Sequence, residues 1–264
     1  MKRRDVILGS AALLVPAASL GMFSRAPSPI VVPAGRSTAP HHPPPETESY
    51  TTNFRFGENP INESGHWING AEFGKTDVQT VPGKAYGTMV SFDGSQYIDS
   101  CACLSGFGPD HEVFCTISNS GAVNGLEVEI LLRAEIAADH IFLYELDCVY
   151  GARGINLVRW DMTKTNMNSY TVLRDSHRFL HRIRGGEVPF ADGDQVYARI
   201  VGTLVTCAYK RFGEEAFLEL FTYDTAHDPV RHSRGNPGIG FWNDTGNSAN
   251  QSKFAWSSFT ANTL

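Results

Sequence analysis

A chain of 264 residues, 42% hydrophobic and only 19% charged, can bury the core of one large β-sandwich, a fold that often runs to ~200–250 residues as a single domain. The formal net charge is −6, and residues 1–26 hold four bases (Lys2, Arg3, Arg4, Arg25) against one acid (Asp5), so the remainder stands near −9. So acidic a body excludes nonspecific nucleic-acid binding, which depends on basic patches.

Residues 1–26 read as an export signal. Lys2-Arg3-Arg4 precedes an apolar run from Val6 to Phe23 that is broken by Gly9, Ser10, Pro16, Ser19 and Gly21, too short and too interrupted for a membrane span. The Arg3-Arg4 pair before Asp5 and Val6-Ile7-Leu8 resembles a bacterial twin-arginine signal, without the usual preceding Ser or Thr. The resemblance implies an exported protein, periplasmic or extracellular, with no membrane span after signal removal; an uncleaved anchor is the competing reading. Residues 27–49 are Pro-rich and poor in large apolar groups, the composition of an extended linker.

The folded domain is expected over 50–264, as strand after strand with Gly, Asp and Asn between them. The clearest runs are Gln96–Leu104, Glu112–Ser118, Leu126–Glu135, Ile141–Tyr150, Ile155–Trp160, Val196–Val201, Leu204–Lys210 and Ala216–Tyr223. Asp93-Gly94 and Asp192-Gly193-Asp194 are turn signals, and Arg174 to Arg184 is a candidate short helix. Near the end, Gly235, Asn236 and Pro237 form a turn. Gly238, Gly240 and Trp242 then alternate with Ile239 and Phe241, the period of a strand with two distinct faces. With Ile239 and Phe241 in the core, Trp242 is expected outward beside the glycines, as a rim residue. A last strand follows with Phe254, Trp256 and Phe259. Five cysteines (Cys101, Cys103, Cys115, Cys148, Cys207) allow one or two bridges in an oxidising compartment; burial as small hydrophobes is the favoured reading.

Trp67, Leu104-Ser-Gly-Phe-Gly-Pro109, Leu126–Arg133, Val158-Arg-Trp160, Asp192-Gly-Asp194 and Gly235–Trp242, taken in order, resemble the concanavalin A-like lectin/glucanase superfamily in its laminin-G-like branches. The resemblance spans roughly Thr51 to Leu264. It implies an all-β jelly-roll sandwich of two antiparallel sheets, and most members handle glycans. It also brings a structural calcium, although no ligand loop is legible and no other cofactor is evident.

Strand Leu126–Glu135 places Glu127, Glu129, Leu131, Arg133 and Glu135 on one face and Val128, Ile130, Leu132 and Ala134 on the other. The apolar face is expected in the core and the charged face outside, either as a glycan groove or as a solvated surface laced with weak ion pairs. Sugars bind through aromatic faces and planar polar groups, so the expected substrate-binding residues are Glu129, Arg133, Tyr144, Arg159, Trp160 and Trp242, contacting a polysaccharide or other glycan.

An enzyme is the alternative. Hydrolysis needs paired carboxylates, and lyase chemistry needs a Tyr or His base with Arg to hold a uronate carboxylate. The catalytic candidates are then Glu127, Glu129, Tyr144, Glu145, His177 and His181. The laminarinase-type pattern Glu-x-Asp-x-x-Glu is not met, since Glu145-Leu-Asp147-Cys-Val ends in Tyr150. The stretch Arg174–Arg184 holds four Arg and two His and suits an anionic glycan, against the simpler reading of a basic loop. A third option, a structural or adhesion domain, expects Trp67, Trp160 and Trp242 all to be buried.

Overall fold

The computed structural model describes residues 48–89, 99–151, 154–175 and 190–264, and within them fifteen strands form two sheets. The strands are β1 (Ser49–Thr52), β2 (Trp67–Asn69), β3 (Val78–Val81), β4 (Lys84–Gly87), β5 (Ser100–Leu104), β6 (His111–Asn119), β7 (Leu126–Ile136) and β8 (His140–Val149). They continue as β9 (Gly154–Thr163), β10 (Tyr170–Asp175), β11 (Gln195–Val201), β12 (Leu204–Lys210), β13 (Leu218–Asp224), β14 (Asn236–Asn243) and β15 (Phe254–Thr263). One sheet runs β13-β12-β11-β6-β15-β4-β3, with β1 also paired to β15; the other runs β10-β9-β8-β7-β14-β5-β2. The paired strands are antiparallel throughout, which makes the domain an all-β jelly-roll sandwich.

Period-2 alternation builds the core. Leu126, Val128, Ile130 and Leu132 of β7 meet Val113, Cys115 and Ile117 of β6 and Trp256 and Phe259 of β15 between the sheets. Trp256 stitches the layers directly, its Nε1 donating to the Glu129 carbonyl at 3.1 Å. A second apolar cluster, with Phe73, Cys101, Cys103, Leu131, Leu143, Val158, Trp160 and Met162, covers the opposite, outer face of the seven-stranded sheet. That face is therefore roofed, at least in part, by the segment around Phe73.

One sequence expectation changes here. Arg174 and Asp175 end strand β10 instead of starting a helix, and the rest of that stretch, with His177 and His181, lies outside the described residues. The short β1 to β4 precede the clearest runs of the sequence and are strands as well. The five cysteines are buried free thiols, as the favoured reading expects. Burial pushes the Cys103 thiol up to about 12 and raises the others well above their ordinary range.

Candidate functional site

The outer face of the seven-stranded sheet gathers the acidic candidates. Glu127 and Glu129 project from β7, and register sets Glu129 opposite Asp147 of β8, so Glu145 and Asp147 share their face. Glu127, Glu129 and Glu145 bring carboxylate oxygens within 4.8 Å of one another. Trp160 of β9 stands beside them and donates its Nε1 hydrogen to Glu145 Oε2. Trp242 of β14 is opposite Glu127 in register.

The glycines of β14 make this packing possible. Gly240 lies between Glu129 and Cys101, and a Cβ there would collide with the Glu129 carboxylate. The acid lies flat across the strand because no side chain stands in its way.

Lys75 and Asp99, which carry no pattern in the sequence, complete the patch. Lys75 Nζ is 3.9 Å from Asp99 Oδ2, 3.4 Å from the Met167 carbonyl and 5.6 Å from the centre of a Trp160 ring. Both side chains are buried, and both influence the Cys101 thiol, whose proton affinity is raised first by burial.

Two expectations about this face need correction. It is not solvent-facing: Glu129 and Glu145 are 0% exposed, and Glu127, Asp147, Trp160 and Trp242 are also buried. Trp242 does point away from the core with the glycines, but at 5% exposure it is not a rim residue. Trp67 is buried too, so all three candidate platforms show the burial expected of a structural or adhesion domain.

The second correction concerns the remaining candidates. β7 breaks register between Leu132 and Glu135, with Arg133 at φ 48°, and this bulge re-aims the side chains beyond it. Arg133 therefore leaves the Glu129 face. Its guanidinium donates to the carbonyls of Pro109 (2.8 Å), His232 (3.0 Å) and Gly202 (2.8 Å) and pairs with Asp110 at 2.8 Å. Ala134 moves with the bulge, from the expected core face to the outer cluster.

Tyr144 and Arg159 have the opposite parity to Glu145 and Trp160 in β8 and β9. The Tyr144 hydroxyl accepts from the His232 N–H at 3.1 Å, while Arg159 donates to the Val230 carbonyl and to Asp161, each at 2.8 Å. The structure thus brings Arg133, Tyr144 and Arg159 together around residues 230–232 and separates them from the carboxylate patch. Strand parity in β8 and β9 carries that distinction; the bulge does not announce itself in the sequence.

No family model and no curated protein matches the sequence. Among solved structures, a beta-agarase A in complex with oligoagarose is similar over 84% of this chain and 95% of that one, at 9% identity and a TM-score of 0.50. The carbohydrate binding module CBM66 from Bacillus subtilis is similar over 77% and 95%, at 10% identity and TM-score 0.45. The exoplasmic/lumenal domain of VIP36 in a Ca2+-bound form covers 80% and 89%, at 10% identity and TM-score 0.43. Two GH43 proteins also match, and the chain spans 39% of each. At such identities the likeness is one of fold alone, the two-sheet jelly roll. Among the described residues, no helix is long and apolar enough to cross a membrane.

Proposed function

We propose that this is an exported protein that interacts with polysaccharide through the outer face of its seven-stranded sheet. The observation that carries the reading is the convergence of Glu127, Glu129 and Glu145 beside Trp160 and Trp242 on one sheet face. Carboxylates that accept from sugar hydroxyls, next to indole rings that pack on C–H faces, are the chemistry a glycan site needs. Because these groups are buried, a glycan reaches them only when the covering segment around Phe73 and Lys75 moves aside. The fold likeness to a beta-agarase A solved with oligoagarose supports the same reading.

A second reading is favoured by one distance. Carboxylate oxygens that all lie within 4.8 Å of one another allow the close carboxyl pair, ~5–5.5 Å apart, that a retaining glycosidase uses, with Glu127, Glu129 and Glu145 as the acids from which nucleophile and general acid are drawn. Calcium belongs to the same patch: hard carboxylate oxygens suit that ion, and Glu127, Glu129 and Glu145 are the residues that would hold it.

Retention of the protein on insoluble neutral and anionic polysaccharides tests the proposal, together with assays of the supernatant for reducing ends and for the ultraviolet absorbance of a new C=C bond. Retention without products identifies a binding protein, and reducing ends alone identify a hydrolase. A protein that neither binds nor cleaves any polysaccharide is a structural domain, and the proposal fails.

A further inference from the structure

A different part of the molecule offers an open site. Beside β1 and the segment 53–66, on the eight-stranded sheet, lies a cleft of about 540 Å³, within the ~300–1,000 Å³ typical of ligand pockets. Its frame is held rigidly. The Tyr50 ring packs on Trp67 (5.9 Å between centroids), Phe259 (6.4 Å) and His66 (5.1 Å). The Glu63 carboxylate accepts from the Tyr50 hydroxyl, from the Thr52 hydroxyl and from Trp67 Nε1 at 3.0 Å. Glu58 Oε2 accepts the backbone N–H groups of Asn62 at 2.8 Å and Glu63 at 2.9 Å, which locks the turn in place.

The backbone at the cleft is strained. Phe54, Glu63 and Ser64 all adopt positive φ (54°, 43° and 67°), a region that disfavours side-chain-bearing residues. Strain retained by side-chain hydrogen bonds at a concave surface is a mark of a site whose shape matters.

The lining defines the ligand. Arg55 and Phe56 are exposed, Phe56 at 69%, alongside His66 and the carboxylates of Glu58 and Glu63. Two carboxylates against one guanidinium disfavour an anion, so a uronate does not fit. The cleft instead offers acceptors for hydroxyl hydrogens, a five-donor guanidinium for hydroxyl and ring oxygens, and flat rings for a C–H face. We propose that this cleft is a binding subsite for an uncharged saccharide unit, with Arg55, Phe56, Glu58 and His66 as its contact residues. It lies on the opposite sheet from the carboxylate patch and is a site additional to the one proposed above.

The test is calorimetric titration of the full chain with xylohexaose, laminarihexaose and cellohexaose, and with hexagalacturonate as the anionic comparison. At least one neutral hexasaccharide is expected to bind, and hexagalacturonate is not. Arg55→Ala and Phe56→Ala, at exposed side chains, are expected to weaken that binding tenfold or more with unchanged thermal unfolding. The inference is overturned if no neutral hexasaccharide binds, if hexagalacturonate binds more tightly, or if both variants bind like the parent. In that last case the outer-face proposal survives. If instead both variants lose binding while Trp242→Ala keeps it, the cleft stands and the outer face fails.

Discussion

Arg133 separates a ligand contact from a clamp, and its replacement by Met measures which it is. Met keeps much of the apolar stem but removes donors from three carbonyls and one carboxylate, with Arg133 itself only 3% exposed. An acceptor left without a donor costs about 1–3 kcal/mol where it is buried and less where water returns, as it does at the partly exposed Asp110 and at the exposed Pro109 and Gly202. Because Asp110 is left partly exposed and not as a buried charge, the loss comes mainly from the carbonyls stripped of their donors, about 3 kcal/mol in all. In a domain of this size it lowers Tm by roughly 2–4 °C per kcal/mol, on the order of 10 °C in all. Urea unfolding of Arg133→Met, read by fluorescence, measures it. Arg133→Lys should recover only part, because one ammonium cannot span four acceptors. If Arg133→Met unfolds within about 1 kcal/mol of the parent yet loses polysaccharide retention, the clamp assignment is wrong.

His111 supplies a pH dependence. Burial, with the nearby Arg133 charge, lowers its pKa to about 4 despite the Gly108 carbonyl 2.9 Å from Nδ1, while Nε2 accepts the Arg133 N–H at 3.3 Å. The folded state holds the imidazole neutral, so this contribution is complete above pH 6.5 and is lost as pH falls towards 4, by about 3 kcal/mol in all. Urea unfolding between pH 7 and 4 should show that loss, and His111→Gln should flatten it; equal slopes in both proteins would rule it out. Gly238→Ala should destabilise more than Gly240→Ala in thermal melts. Its Cβ overlaps the Ala102 carbonyl and lies 2.9 Å from Cys103 Cα, whereas at Gly240 the obstacle is a glutamate side chain. The buried thiols should resist a disulfide labelling reagent in the native protein, and all five should react in guanidinium. Rapid native labelling would show that the core opens more readily than its packing implies.

Much of the architecture was legible because a strand's side-chain period is two. Leu204–Lys210 was read to the residue, and Gly238–Trp242 with its two faces was placed correctly, since alternation depends only on neighbours along the chain. The same rule carried Glu127 and Glu129 onto one face. It could not foresee that β8 would bring Glu145 within 4.8 Å of them, because that depends on hairpin register. Nor could it see the bulge at Arg133, where one extra residue carries the guanidinium off the Glu129 face and onto the His232 carbonyl. Burial departs furthest from the pattern. Whether a polar face meets water is decided by what packs over it, and Phe73 and Lys75 arrive there from a segment distant in sequence. The cleft at Tyr50 was hidden for the same reason: its floor joins the first strand of the domain to Phe259 in the last. Local sequence determined which residues alternate and where strands break; only the tertiary structure decided which alternating faces meet and which remain open.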